Sequence, residues 1–172
     1  MSQRGARASG RRAPASADRD ADGGAIADAP VRLRPHHLVC LQFFRGEGYS
    51  GEFVANLGVL LARLANEDAL VVEGADNVCA ACPDLDANGC CASESAGGEP
   101  EIARIDALAL AVLGLGPGER ISLAEARVRL AGDAVGVGHW RAEACHGCEW
   151  EHVCERGWGL MLGEAERAAR RR

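Results

Sequence analysis

Apolar residues recur at helical spacing along much of this 172-residue chain, and polar or glycine-rich gaps separate the runs. Ser50 can cap a helix whose Phe53, Leu57, Leu60, Leu61 and Leu64 fall on one face. A second such face is formed by Ile102, Ile105, Leu108, Val112 and Leu113, which predicts a helix over residues 101–113. Ser122 and Glu125 have capping-box spacing and open a further helix to about Ala131. Pro35 suits a first helical turn, so residues 34–46 read as a short helix ending at Gly46 or Gly48. Residues 156–172 predict a terminal helix fraying into charge, and residues 69–74 are a short β-prone run stopped by Gly74. The pattern predicts a small, mainly α domain over residues 31–172, with at most a minor β element. Residues 1–30 hold Ala, Arg, Ser, Gly and Asp with almost nothing to bury, and predict a disordered N-terminal tail.

Composition narrows the class. Aromatics are only 4% of the chain, so a core must rest on Leu, Val, Ile and Ala, with help from whatever the cysteines bind. The net charge is −6; residues 31–172 carry about −7 of it once the five Arg and four Asp of the tail are set aside. An acidic surface argues against a nucleic-acid partner, because binding phosphate requires displacing its counterions with basic groups. No apolar run approaches the roughly 20 residues needed to span a bilayer, and no secretory h-region follows Arg11-Arg12. These features predict a cytoplasmic protein, where thiols are reduced and serve metals more often than disulfides.

Seven of the eight cysteines form two compact groups: Cys79, Cys82, Cys90 and Cys91, then Cys145, Cys148 and Cys154. A Cys-x2-Cys spacing lets one tight turn present two sulfurs to a single ion or cluster. Zinc takes four thiolate or imidazole ligands, and an iron–sulfur cluster is usually held by four thiolates. Catalytic or disulfide thiol chemistry is the third option. Two groups of three give six well-placed cysteines, too many for one four-ligand site and too few for two. A second site would need Cys40, Cys91 or one of His36, His37, His146 and His152. Pro83 after Cys82, and Trp150 and Trp158 beside Cys154, tilt slightly toward a cluster, although such tryptophans are just as often ordinary core. His36 and His37 lie four and three residues before Cys40, so one of them shares a helical face with that thiol. That pairing fits an extra ligand, a Cys–His nucleophile or a buried core cysteine.

The runs RPHHLVCLQFFRGEGYSGEFVANL (34–57), DNVCAACPDLDANGC (76–90) and CHGCEWEHVCERG (145–157) resemble a prokaryotic family catalogued as domain of unknown function 1284. Its members are described as iron–sulfur binding proteins, over a region similar to about residues 31–160 here. The resemblance implies functional positions at His36, His37 and Cys40, at Cys79, Cys82 and Cys90, and at Cys145, Cys148 and Cys154. Cys91 stands as an extra beside Cys90, and His152-Val153 replaces the family's usual Tyr-Gly step. The family brings no reaction, substrate or partner.

With the resemblance added, the expectation is a domain stapled by one iron–sulfur cluster of the four-iron type. Its ligands are drawn from Cys79, Cys82, Cys90, Cys145, Cys148 and Cys154 as the two loops meet; His36, His37, Cys40 and Cys91 are the additional candidates. The expected function is electron transfer or redox sensing, with a redox protein as partner. A zinc-stapled interaction module on the same cysteines is the alternative, and a Cys–His thiol enzyme the second. Glu73, Asp76, Asp84 and Asp86 surround the first group, and negative charge disfavours adding an electron to an anionic cluster. A low reduction potential is therefore expected; redox titration giving a value well above that of plant-type ferredoxins would contradict it.

Overall fold

The computed structural model describes residues 29–169 except 95, so the expectation of a disordered tail falls almost wholly outside the described residues. Six helices surround a three-stranded sheet: β1 (Arg32–Leu33), α1 (Pro35–Cys40), α2 (Gly51–Leu64), β2 (Ala69–Val71), α3 (Gly98–Leu113), β3 (Arg120–Ile121), α4 (Leu123–Gly132), α5 (Ala134–Ala144) and α6 (Glu151–Ala169). The architecture is mainly helical with a minor β element, as the hydrophobic pattern predicts. No described helix is long and apolar enough to cross a membrane.

The sheet is small but gathers three distant segments. β1 runs parallel to β2, with Leu33 opposite Val71, and β3 runs antiparallel on its other side, with Ile121 opposite Ala69. Leu33, Ala69, Val71 and Ile121 are buried while Arg32 and Arg120 face out, which is the alternation of a half-covered sheet. Strands of two or three residues carry too little pattern to read in advance. Only β2 is foreshadowed, by residues 69–74.

Caps set the helix starts. Ser50 Oγ accepts from the Phe53 amide at 3.1 Å, and Ser122 Oγ from Glu125 at 3.0 Å, both at the expected positions. Asp133 does the same for α5, accepting from Gly136 at 2.9 Å. This helix has no expectation behind it, because its glycines dilute the periodicity and only Val137 and Trp140 are buried. The short helix expected over 34–46 divides instead: α1 ends at Cys40, and Leu41–Phe43 tighten into a 3-10 turn. α6 begins at Glu151, five residues earlier than expected, so Cys154 lies in its first turns rather than in a loop.

The centre of the fold holds a buried charge. Arg34, only 1% exposed, sits between β1 and α1. Its Nε donates to Asp106 Oδ2 at 2.7 Å, and its two terminal nitrogens form a fork on Glu99 at 3.1 and 2.9 Å. Asp106 interrupts the buried stripe Ile102–Ala109–Leu113 of α3 and is tolerated there because both its oxygens are engaged. Removing one partner of a buried ion pair leaves an uncompensated charge, which costs about 3–5 kcal/mol. Arg34→Leu should therefore lower the unfolding free energy by about that amount in urea titrations. Arg34→Lys should recover only part of it, since an ammonium cannot reproduce the fork.

Candidate functional site

α1 is a six-residue helix with a carboxylate on each flank. Asp106 Oδ1 accepts from the His36 amide at 3.0 Å and meets its Nδ1 at 2.6 Å. Asp76, in the loop after β2, accepts from the Arg34 amide at 2.6 Å and meets His37 Nδ1 at 2.7 Å. Adjacent helical residues point about 100° apart, which is how neighbouring histidines reach carboxylates from different elements. Their ring centroids still lie 4.0 Å apart, the planes tilted by 48°. Each ionised carboxylate places the proton on Nδ1, so both histidines are left with Nε2 as the ring nitrogen that carries the lone pair. Burial and the neighbouring His37 pull His36 down to about 4, against the opposing pull of Asp106.

Cys40 lies one turn further along. It is exposed and lines a cavity of about 480 Å³. His36, His37, Cys145, Cys148 and Cys154 line the same cavity. All seven aromatic residues of the chain line it too: Phe43, Phe44, Phe53, Tyr49, Trp140, Trp150 and Trp158. The scarce rings are therefore concentrated around one space. Trp158 packs on Phe43 at 4.0 Å and lies 6.2 Å from Trp140, while Tyr49 stands edge-on to Trp150 at 5.3 Å. α6 reaches Phe43 closely because residue 157 is glycine; a Cβ there would meet the Phe43 ring at 2.7 Å.

The late cysteines are presented by a helix–turn–helix. Cys145 caps the end of α5, and the Cys148 amide donates to its carbonyl at 3.0 Å. Gly147 sits between them at φ +79°, a backbone conformation that a side chain would strain. Cys154 follows in the first turns of α6, where the amide end of the helix favours a thiolate. Burial raises all four cavity thiols, and neighbouring negative charge adds to it for Cys40, Cys145 and Cys154 from other thiols and for Cys148 from Glu151 and Glu149. Cys40 is pushed well up by burial and then by the charges of Cys145, Cys148 and Cys154. Cys145 is pushed up to about 12 by burial and the same neighbours, with Arg141 opposing. Cys154 is raised by burial and Cys148, and eased by Arg141 and Arg45. A raised Cys40 is a poor free nucleophile, which weighs against a Cys–His pair.

The first group lies elsewhere. Cys79, Cys82, Cys90 and Cys91 are not among the cavity residues. Asp76 Oδ1 accepts from the Val78 and Cys79 amides at 2.8 and 2.9 Å, and Cys82 closes a turn on the Cys79 carbonyl at 2.8 Å. Burial and Asp76 push Cys79 up to about 12. The fold thus brings Cys40 to Cys145, Cys148 and Cys154, and brings His37 to Asp76 and Cys79. Sequence reasoning names Asp76 only as nearby charge and passes over Asp106, Glu99 and Arg34. Of these, Asp106 carries a signal, an acid on an otherwise apolar helical stripe.

What these features define is a small helical, cysteine-rich domain. Residues 48–154 match the family described as "Protein of unknown function (DUF1284)", and the chain belongs to it. The match spans both cysteine groups and begins after α1, so His36, His37 and Cys40 stand outside it. Neither a curated protein nor a solved structure matches the chain.

Glu99 and Asp106 are both held below the usual carboxylate range: Glu99 by its bonds to Arg34, and Asp106, against the desolvation of its burial, by its bonds to His36 and Arg34. A carboxylate lowered in the folded state contributes stability above its unfolded value, lost as pH falls through the folded one. Unfolding free energy should therefore fall as pH drops below about 4.5. Glu99→Gln should be less stable at neutral pH and show a shallower fall. Equal slopes for both proteins would contradict this assignment.

Proposed function

We propose that this chain is an iron–sulfur protein serving electron transfer or redox sensing, with its cluster in the aromatic cavity on Cys40, Cys145, Cys148 and Cys154. The observation that carries it is the convergence of four thiols, from α1 and from the α5–α6 turn, on one cavity ringed by every aromatic side chain.

Two further features fit an anionic, sulfur-rich group. Trp158 lines the cavity, and its buried indole Nε1 finds no partner among the described residues. An unpaired buried donor costs about 1–3 kcal/mol, and sulfur in the cavity would accept from it. The four thiols are also costly to ionise together without a cation, so the cationic core of a cluster is what would hold them as thiolates. When bound, a four-iron cluster takes up or releases an electron. The chain's own part is to hold it, to exclude water with Phe43, Trp140, Trp150 and Trp158, and to bias it electrostatically. Glu47, Glu94, Glu101, Glu143, Glu149 and Glu151 also line the cavity, against Arg45. That balance favours a low potential and docking to a basic redox partner.

Anaerobic purification should give a brown protein with iron and sulfide in similar amounts. Cys40→Ser and Cys148→Ser should each lose most of both, and Cys90→Ser should retain them. A colourless protein with neither iron nor sulfide would overturn the proposal.

A further inference from the structure

We propose that His37, Asp76 and Cys79 hold one divalent ion of the zinc class, at a second site apart from the four cavity thiols. Water completes the tetrahedron. Among the described residues these three form a group whose ligand atoms, one from each, all lie within 4.8 Å of one another. Bonds of about 2.0–2.3 Å to nitrogen, oxygen and sulfur put tetrahedral neighbours about 3.3–3.6 Å apart, inside that reach. His37 Nδ1 and Asp76 Oδ2 stand 2.7 Å apart, a pair that opens by about 0.6 Å when an ion replaces the proton between them.

The protein assembles this group without help from an ion. His37 belongs to α1, while Asp76 lies 39 residues further on, in the loop after β2. That loop is fastened to the β1–α1 corner. The Arg32 amide donates to Asn77 Oδ1 at 2.6 Å, the Asn77 amide to the Arg32 carbonyl at 3.2 Å, and the Arg34 amide to Asp76 Oδ2 at 2.6 Å. Asn56 of α2 adds a bond to the Asn77 carbonyl at 2.9 Å. The two oxygens of Asp76 then serve different ends. Oδ1 accepts from the Val78 and Cys79 amides at 2.8 and 2.9 Å, which anchors the turn where the Cys79 thiol emerges. Oδ2 faces His37, so Asp76 ligates through one oxygen while amides hold the other, the usual outer support of a ligating carboxylate. Capping alone accounts for Oδ1, but not for an imidazole and a thiol gathered on the same buried carboxylate.

One nitrogen, one oxygen and one sulfur select a borderline ion. Calcium and magnesium take oxygen ligands, and softer metals prefer thiolate sets. Three protein ligands with an open fourth position form the zinc arrangement that keeps an exchangeable water. Binding conserves protons in a simple way. His37 exchanges its Nδ1 proton for one on Nε2 and stays neutral, and the Cys79 thiol gives its proton to solvent. The carboxylate and the thiolate together then balance the charge of the ion. The site shares no cysteine with the cavity, so it stands whether or not a cluster binds there.

The test uses the full-length protein, purified anaerobically and supplied with zinc, with zinc, iron and sulfide measured in the same sample. About one zinc per chain is expected. His37→Ala and Cys79→Ser should lose the zinc and keep whatever iron and sulfide the wild type holds, while Cys148→Ser should keep the zinc. Should the first two variants fail to fold, the wild type decides. Zinc X-ray absorption should find one sulfur among nitrogen and oxygen neighbours, and alkylation mapped by mass spectrometry should find Cys79 protected until a chelator is added. Three or four sulfurs around the zinc would overturn the site, as would labelling of Cys79 that zinc does not slow. Loss of iron and sulfide from Cys79→Ser would mean one shared centre and would overturn it too. An iron-free protein whose one zinc disappears with Cys79 supports this site and sinks the cavity cluster alone.

Discussion

A single guanidinium with nowhere to go but into carboxylates organises this molecule. Arg34 is too deeply buried to be hydrated, so Asp106 and Glu99 must be where they are, and each brings something with it. Asp106 draws α3 against α1 and orients His36. Glu99 reaches on to the Cys91 amide and ties down the far end of the first cysteine loop. The backbone amide of the same arginine holds Asp76, which fixes His37 and the near end of that loop. One positive charge faces three carboxylates here, and the two imidazole N–H groups supply much of the remaining complement. Such a network gains little stability over a greasy core, but it has essentially one geometry.

That geometry keeps the two cysteine groups apart. His37, Asp76 and Cys79 offer ligand atoms within 4.8 Å of one another. Cys40, Cys145, Cys148 and Cys154 instead line one cavity together with the aromatic side chains. With Cys40 beside Cys145, Cys148 and Cys154, the cavity gathers four thiols without drawing on the first group.

Much of this fold is legible from the pattern of residues, and the reasons for the exceptions are physical. α2 and α4 announce themselves because a capping serine precedes an amphipathic run. α5 does not, because Gly136 and Gly138 dilute its pattern and it buries little beyond Val137 and Trp140. β1 and β3 exist only as partners of β2, so nothing local could reveal them. Cysteine spacing shows which thiols are near in sequence. It could not show that Cys40 joins the distant group, since that depends on the 3-10 turn after α1 meeting α6 through Phe43 and Trp158.

The distance along the chain between Cys40 and Cys154 has a consequence for how the protein is made. A group held by both ends can be held only after nearly the whole folded region has left the ribosome. Until then Cys40 waits on a finished helix beside a half-built cavity. The first cysteine loop has no such delay, since Cys79 to Cys91 and the carboxylates that hold them, Asp76 and Glu99, are all made before α5 and α6.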